Sequence, residues 1–190
     1  MLNDDAIIEG CMAGKRSAQS ALYRKYASVM LAVCLRYARD RDEAEDILQE
    51  AFMKIFTNIS SYRREGSFEG WMKRIMINHA LNYFRKNRKM PFLADIEEID
   101  ETDILDSREQ SADLAPVSAE KLTALIQMLP PGYRMVFNLY VFEEYSHKEI
   151  AGMLNISENT SKTQLLKARR MLRKKLNDLN IIKNTESVHE

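Results

Sequence analysis

Seven lysines and arginines fall within ISENTSKTQLLKARRMLRKKL, Ile156 to Leu176, and after Glu158 the segment holds no acid. Cations at that density suit a polyanion. Lys162, Thr163, Gln164, Lys167 and Arg170 fall in the early turns and on the outer face of the helix this segment would form. Lysine and arginine neutralise phosphates there, while threonine and glutamine hydrogen-bond base edges. A second set, Arg74, Asn78, Asn82, Arg85 and Lys89, is spaced four, four, three and four apart, so all five share one helix face. Phe68, Trp71, Met72, Ile75 and Ile77 lie beside it. Cations, amides and aromatics together suit a partly unpaired strand. The plain alternative is a solvated face over a Trp-containing core, and Trp71 itself reads first as a core residue. A third set, Asp46, Gln49 and Glu50, joins Asp42 and Glu45 in an acidic polar face. Taken alone, that is the face of an ordinary amphipathic helix.

No catalytic site is visible. Cys11 and Cys34 sit in no Cys-x-x-Cys or Cys/His cluster, His79, His147 and His189 are scattered, and the six glycines form no phosphate loop. The chain reads as a non-enzyme with no metal and no cofactor. Its 28 basic and 28 acidic residues cancel, but they are segregated. Every charge from Trp71 to Met90, and again from Asn159 to Asn177, is basic. Nine acids lie between Asp95 and Asp113, opposed only by Arg108. Two basic patches separated by an acidic spacer favour polyanion binding over a uniformly mixed surface.

The elements that must position these residues read as helices. At 190 residues, 45% hydrophobic and 29% charged, the chain has the composition of a soluble protein of one or two small domains. No apolar run approaches the roughly 18 residues that span a bilayer. MLNDDAIIEG lacks a signal pattern, so a cytoplasmic location without membrane insertion is expected. Ser17 is expected to cap a helix carrying Leu22, Tyr26, Val29, Met30, Val33 and Tyr37 inward. Asp42 and Glu45 open another, running to about Phe56 with Ile47, Leu48, Ala51, Phe52 and Ile55 at helical spacing. After the loop NISSYRREG, Ser67 caps a helix to about Lys89, ahead of Pro91. Residues 91–117 lose periodicity and read as a flexible acidic linker. A helix from Ser118 stops at Leu129-Pro130-Pro131-Gly132, and the next covers Tyr133 to Glu143.

Then follows helix-turn-helix grammar. Ser146 and Glu149 form a capping box for a helix to Leu154, Asn155 supplies a left-handed turn residue, and Ser157 caps the basic helix. Ile150, Leu154 and Ile156 form a small shared core, and Leu165, Ala168, Leu172 and Leu176 face inward. The early second helix of this motif enters the major groove. The fold class is all-α: two small helical domains, 1–90 and 118–190, joined by the linker, the second containing the helix-turn-helix.

Taken in order, RDEAEDILQEAFMKIF, GSFEGWMKRIMINHALNYFRKNRK, the acidic linker and LPPGYRMVFNLYVFEEYSHKEIAGMLNISENTSKTQLLKARRML resemble a bacterial RNA polymerase sigma factor of the extracytoplasmic-function (ECF) group. The likeness covers roughly Ser17 to Leu176. LPPGYR and SHKEIA resemble most closely the ECF members of Bacteroidetes-type bacteria. The resemblance implies a subunit that binds core RNA polymerase, directs it to promoters and assists melting. Asp46, Gln49 and Glu50 would dock on the clamp coiled coil of the largest subunit. The loop Ser60–Gly66 would capture a flipped base, with Arg74, Asn78, Asn82, Arg85 and Lys89 at the minus-ten DNA. Lys162, Thr163, Gln164, Lys167 and Arg170 would read the minus-thirty-five duplex, and the same domain would rest on the polymerase flap. The linker would follow the RNA exit route or be plainly solvated. The chain stops soon after the basic helix, so regulation is expected from outside, by an anti-sigma factor.

Four departures from the family pattern stand out. Asn155 replaces a usual glycine, Ser161 a common valine, Thr163-Gln164 a frequent Ser-Arg, and Met72 follows Trp71 where primary sigma factors carry a second aromatic. These point to looser helix packing at Ser161, different promoter bases, and melting more dependent on promoter sequence. The competing reading is an autonomous helix-turn-helix regulator, dimeric and bound to two-fold half-sites. It leaves the acidic face and the Arg74–Lys89 stripe without a role.

Overall fold

Asp4–Met12 forms a helix, α1, that is not among the expected elements. It has no side-chain cap and is held by packing: Ile7, Ile8, Gly10 and Cys11 are buried against α2 (Arg16–Tyr37). A Cβ on Gly10 would lie 2.6 Å from the Ala18 Cβ, so only glycine allows this approach. In this computed structural model residues 3–87 and 118–179 are described, and they fall in two units. The linker and Lys89 lie outside the described residues.

The first unit continues with α3 (Arg41–Asn58), a 3-10 turn at Ile59–Ser61, and α4 (Phe68–Asn87). Helices α2, α3 and α4 pack on one another. Leu22, Met30, Tyr37, Ile47, Ile55, Met72 and Met76 are fully buried between them. Each apolar side chain so enclosed contributes about 1.5–3 kcal/mol before the entropy of ordering it is counted. Three expectations shift. Helix α2 begins at Arg16, with Lys15 rather than Ser17 preceding it. Val29 is 44% exposed, because Met30 and Val33 already fill the inward stripe. Helix α3 starts earlier than Asp42: the Asp40 carboxylate accepts from the Glu43 N–H at 2.9 Å, and the Glu43 carboxylate accepts from the Arg39 N–H at 2.5 Å.

The second unit holds α5 (Ala119–Gln127), α6 (Pro131–Val141), α7 (His147–Leu154) and α8 (Glu158–Asp178). Helix α6 begins two residues before Tyr133, since proline is tolerated in a first turn where its missing N–H has no helical partner. Helix α8 packs on α5, α6 and α7. Leu125, Leu129, Ala168 and Leu172 make a core cluster that Tyr133, Phe137, Met171 and Leu176 surround. Ser118 caps α5, accepting from the Lys121 N–H. Among the described residues there is no strand.

Candidate nucleic-acid interface

The turn between α7 and α8 sets the aim of the basic helix. Ser146 and Glu149 form a full capping box, the Ser146 N–H donating to Glu149 Oε2 at 2.8 Å. Hydrogen bonds from Ser146 hold the Glu149 carboxyl below its ordinary range. Asn155 adopts φ 55° and ψ 48°, a left-handed conformation asparagine tolerates better than most residues. The Ile156 N–H then donates to the Ala151 carbonyl at 3.1 Å, and Ser157 caps α8 through the Thr160 N–H at 2.9 Å.

On α8, Lys162 and Arg170 are exposed, while Thr163 and Lys167 are half-buried. Lys162 pairs with Glu158 one turn earlier at 2.8 Å, which holds the Glu158 carboxyl below its ordinary range. Gln164 departs from expectation. It is 7% exposed and lies against Gly132 of α6, where an added Cβ would meet its Nε2 at 3.2 Å. The inward stripe of α8 is Ser161, Gln164, Leu165, Ala168 and Leu172, and its width takes Gln164 with it. Turned away from solvent, Gln164 packs α8 on Gly132 of α6. Ser161, fully buried, lies 2.9 Å from His147 Nδ1, joining the two helices by a hydrogen bond. The His147 ring stacks on Tyr140 at 4.6 Å, and the Arg169 guanidinium stands 5.8 Å from the Tyr140 centroid. Burial, with Lys162 next, pushes the His147 imidazole below its ordinary value, and Glu158 opposes.

In the first unit, Arg74, Asn78, Asn82 and Arg85 are all exposed on α4. Arg85 donates to Asn82 Oδ1 at 2.8 Å, so cation and amide present as one patch. Trp71 is half-buried, stacked on Phe68 at 5.6 Å and beside Tyr62 at 5.5 Å. The loop before α4 is folded on itself: Ser67 caps the helix through the Gly70 N–H, and the Tyr62 hydroxyl donates to the Gly66 carbonyl at 2.8 Å. Arg64, at φ 60°, reaches α1, with Glu9 at 3.1 Å and Asp5 at 3.5 Å. Nothing in the local sequence points to that tether, because it joins residues more than fifty positions apart.

The acidic set lies on α3. Asp46, Gln49 and Glu50 are exposed. Glu50 Oε2 stands 3.0 Å from Nε2 of His79, a residue of α4 only 6% exposed. Burial, followed by Lys54, holds the His79 imidazole below its ordinary value, with Glu50 pulling the other way. A cavity of about 320 Å³ opens between α2 and α3 beside this face, lined in part by Tyr23, Leu31, Leu48 and Gln49. Both cysteines are buried; burial pushes the Cys34 thiol up to about 12, so it is an inert packing group. Among the described residues no cluster of His, Cys, Asp and Glu could hold a metal ion, and no helix is long and apolar enough to cross a membrane.

Residues 22–90 match the Sigma-70 region 2 family, and residues 119–172 match Sigma-70, region 4. The ECF RNA polymerase sigma factor SigM of Bacillus subtilis is 31% identical over 156 residues, 80% of this chain and 91% of that one. The ECF RNA polymerase sigma-E factor of Haemophilus influenzae is 27% identical over 187 residues, 94% and 97% of the two chains. Among solved structures, the sigma factor RpoE co-crystallised with the anti-sigma factor NepR from Bartonella quintana is 18% identical with a TM-score of 0.49. That likeness covers 83% of this chain and 96% of that one.

Proposed function

The chain belongs to the ECF RNA polymerase sigma factors, and from that membership we propose how its two units divide the work. It is a non-catalytic subunit that binds core RNA polymerase, directs it to specific promoters and assists strand opening at initiation. The proposed domains are 1–90, for the polymerase and the minus-ten element, and 118–190, for the minus-thirty-five element, with 91–117 as the linker. The family pair in this order carries the reading, region 2 over residues 22–90 and region 4 over 119–172. An autonomous regulator would need only the second.

Within that division, Asp46, Gln49 and Glu50 are the proposed contacts for the basic clamp coiled coil, and their exposure on one face of α3 supports this. Arg74, Asn78, Asn82 and Arg85, continued by Lys89, are proposed for the minus-ten strand. Their support is a cationic and amide stripe running past the Tyr62–Phe68–Trp71 aromatics. Extruding a base costs a few kcal/mol, so a subunit that binds the unpaired state favours opening. Lys162, Thr163, Lys167 and Arg170 are proposed for the minus-thirty-five duplex, with Gln164 withdrawn to packing. The C-terminal domain is further proposed to rest on the polymerase flap, and an anti-sigma protein covering both DNA-binding domains is the proposed regulator. A cytoplasmic site of action and a Bacteroidetes-type origin complete the reading, the latter supported by LPPGYR and SHKEIA.

The test is co-elution of the purified chain with bacterial core polymerase on a sizing column. A one-to-one complex is expected, lost when Asp46 and Glu50 are both changed to lysine. No complex where a known sigma factor binds, with tight duplex binding by the chain alone, would overturn the reading in favour of the autonomous regulator.

A further inference from the structure

The inward turn of Gln164 leaves the upstream element without the amide expected to read it, and the first turn of α8 offers another. Its four polar side chains are Glu158, Asn159, Thr160 and Ser161. Three are engaged. Glu158 pairs with Lys162 at 2.8 Å, the Thr160 hydroxyl is 2.8 Å from Ser157 Oγ, and Ser161 is buried against His147. Asn159 is exposed and its side chain has no hydrogen-bond partner among the described residues. Its direction also fits. Asn159, Thr163, Leu166 and Arg170 are spaced four, three and four apart, so they form one stripe. That stripe lies opposite the buried one of Ser161, Gln164, Leu165, Ala168 and Leu172. Side chains in the first turn of the second helix are the ones that reach base edges in this motif.

Asparagine has a chemistry of its own there. Its carbonyl accepts from adenine N6 while its amide donates to N7, a two-bond match no other base offers in the major groove. Cations beside it that contact phosphate position the helix without reading sequence. We propose that Asn159 reads an adenine in the duplex upstream element, making it a specificity-determining residue of this sigma factor. The inference rests on the promoter-recognition reading above.

The experiment uses the full chain assembled with core polymerase on a promoter library randomised through the upstream element, scored by initiation. For the unaltered chain an adenine preference is expected at one position. Asn159→Ala should lower that preference about five- to a hundred-fold, the range of one bidentate base contact, and leave the other positions unchanged. Asn159 is exposed and alanine is a better helix former, so the variant keeps its fold, which an unchanged melting temperature would verify. Gln164→Ala should leave the sequence profile as it is. An unchanged profile for Asn159→Ala would overturn the proposal. So would a uniform loss over all sequences with a salt slope reduced by about 1, since that marks a phosphate contact. If the unaltered chain with core polymerase shows no sequence preference at all, the promoter-recognition reading fails first, and this inference with it.

Discussion

Ser161 shows what a single hydroxyl does between two helices. It sits in the buried stripe of α8, where a larger apolar side chain would also fit the pattern, and it holds His147 at 2.9 Å. Ser161→Ala should cost about 1 kcal/mol in denaturant unfolding, the usual worth of one such bond. The imidazole carries a pH dependence whose sign follows from its environment. Burial, Lys162 and Arg169 disfavour the charged ring, so its folded-state pKa lies below the unfolded value of about 6.5. Its contribution to stability is therefore complete above that value and is lost as pH falls through the folded-state value beneath it. An NMR titration of the His147 ring should give a midpoint below that of free imidazole; a midpoint above it would contradict the burial argument. Gln164 makes the opposite case. Its Oε1 is buried without a hydrogen-bond partner. Gln164→Leu should raise stability by roughly 1 kcal/mol, because an unsatisfied buried acceptor is worse than an apolar group of similar size. In the sequence, a glutamine amid lysines has the polarity of an outward residue. Only the position of α6, with Gly132 making room, decides otherwise.

At the scale of elements, legibility followed the caps. Ser146-x-x-Glu149 and the left-handed Asn155 fix the helix-turn-helix from local chemistry alone, and the helices begin and end where those residues dictate. The start of helix α3 is ambiguous by two residues in the sequence, because two overlapping patterns, Asp40-x-x-Glu43 and Asp42-x-x-Glu45, satisfy the same capping rule. The extended backbone at Asp40 settles the choice. Asp40→Ala should accordingly cost about 1 kcal/mol of helix stability, and Asp42→Ala much less. Thermal melts of the two variants check this; equal losses would return the cap to Asp42. Helix α1 was illegible for a different reason. It has nine residues and no capping side chain, and an isolated helix of that length is marginal in water. Its local signal is short, two acids in the first turn and Ile7, Ile8 and Cys11 at helical spacing, and the close approach of Gly10 and Ala18 completes it.

Over the whole molecule, charge is segregated. The exposed acids of α3 and the exposed cations of α8 belong to different units, so the two can be altered one at a time. Changing Lys162 and Lys167 to glutamate should abolish upstream-element recognition and leave the complex with core polymerase intact on a sizing column. Loss of that complex would mean that the two faces are not separate. In the same variants the salt dependence of promoter binding should flatten by about one unit of slope per phosphate contact removed.

Helix α1 lies outside the stretch that matches region 2, which starts at residue 22, yet it is wired into the unit at both ends. Asp4 pairs with Lys25 on α2, while Asp5 and Glu9 reach across 50-odd residues of sequence to Arg64 in the loop ahead of α4. It is therefore a handle on that loop. Removing residues 1–14 should speed amide hydrogen exchange from Tyr62 to Gly66 and leave α5 to α8 undisturbed. A change confined to the first dozen residues should therefore be read out at that loop, through Arg64.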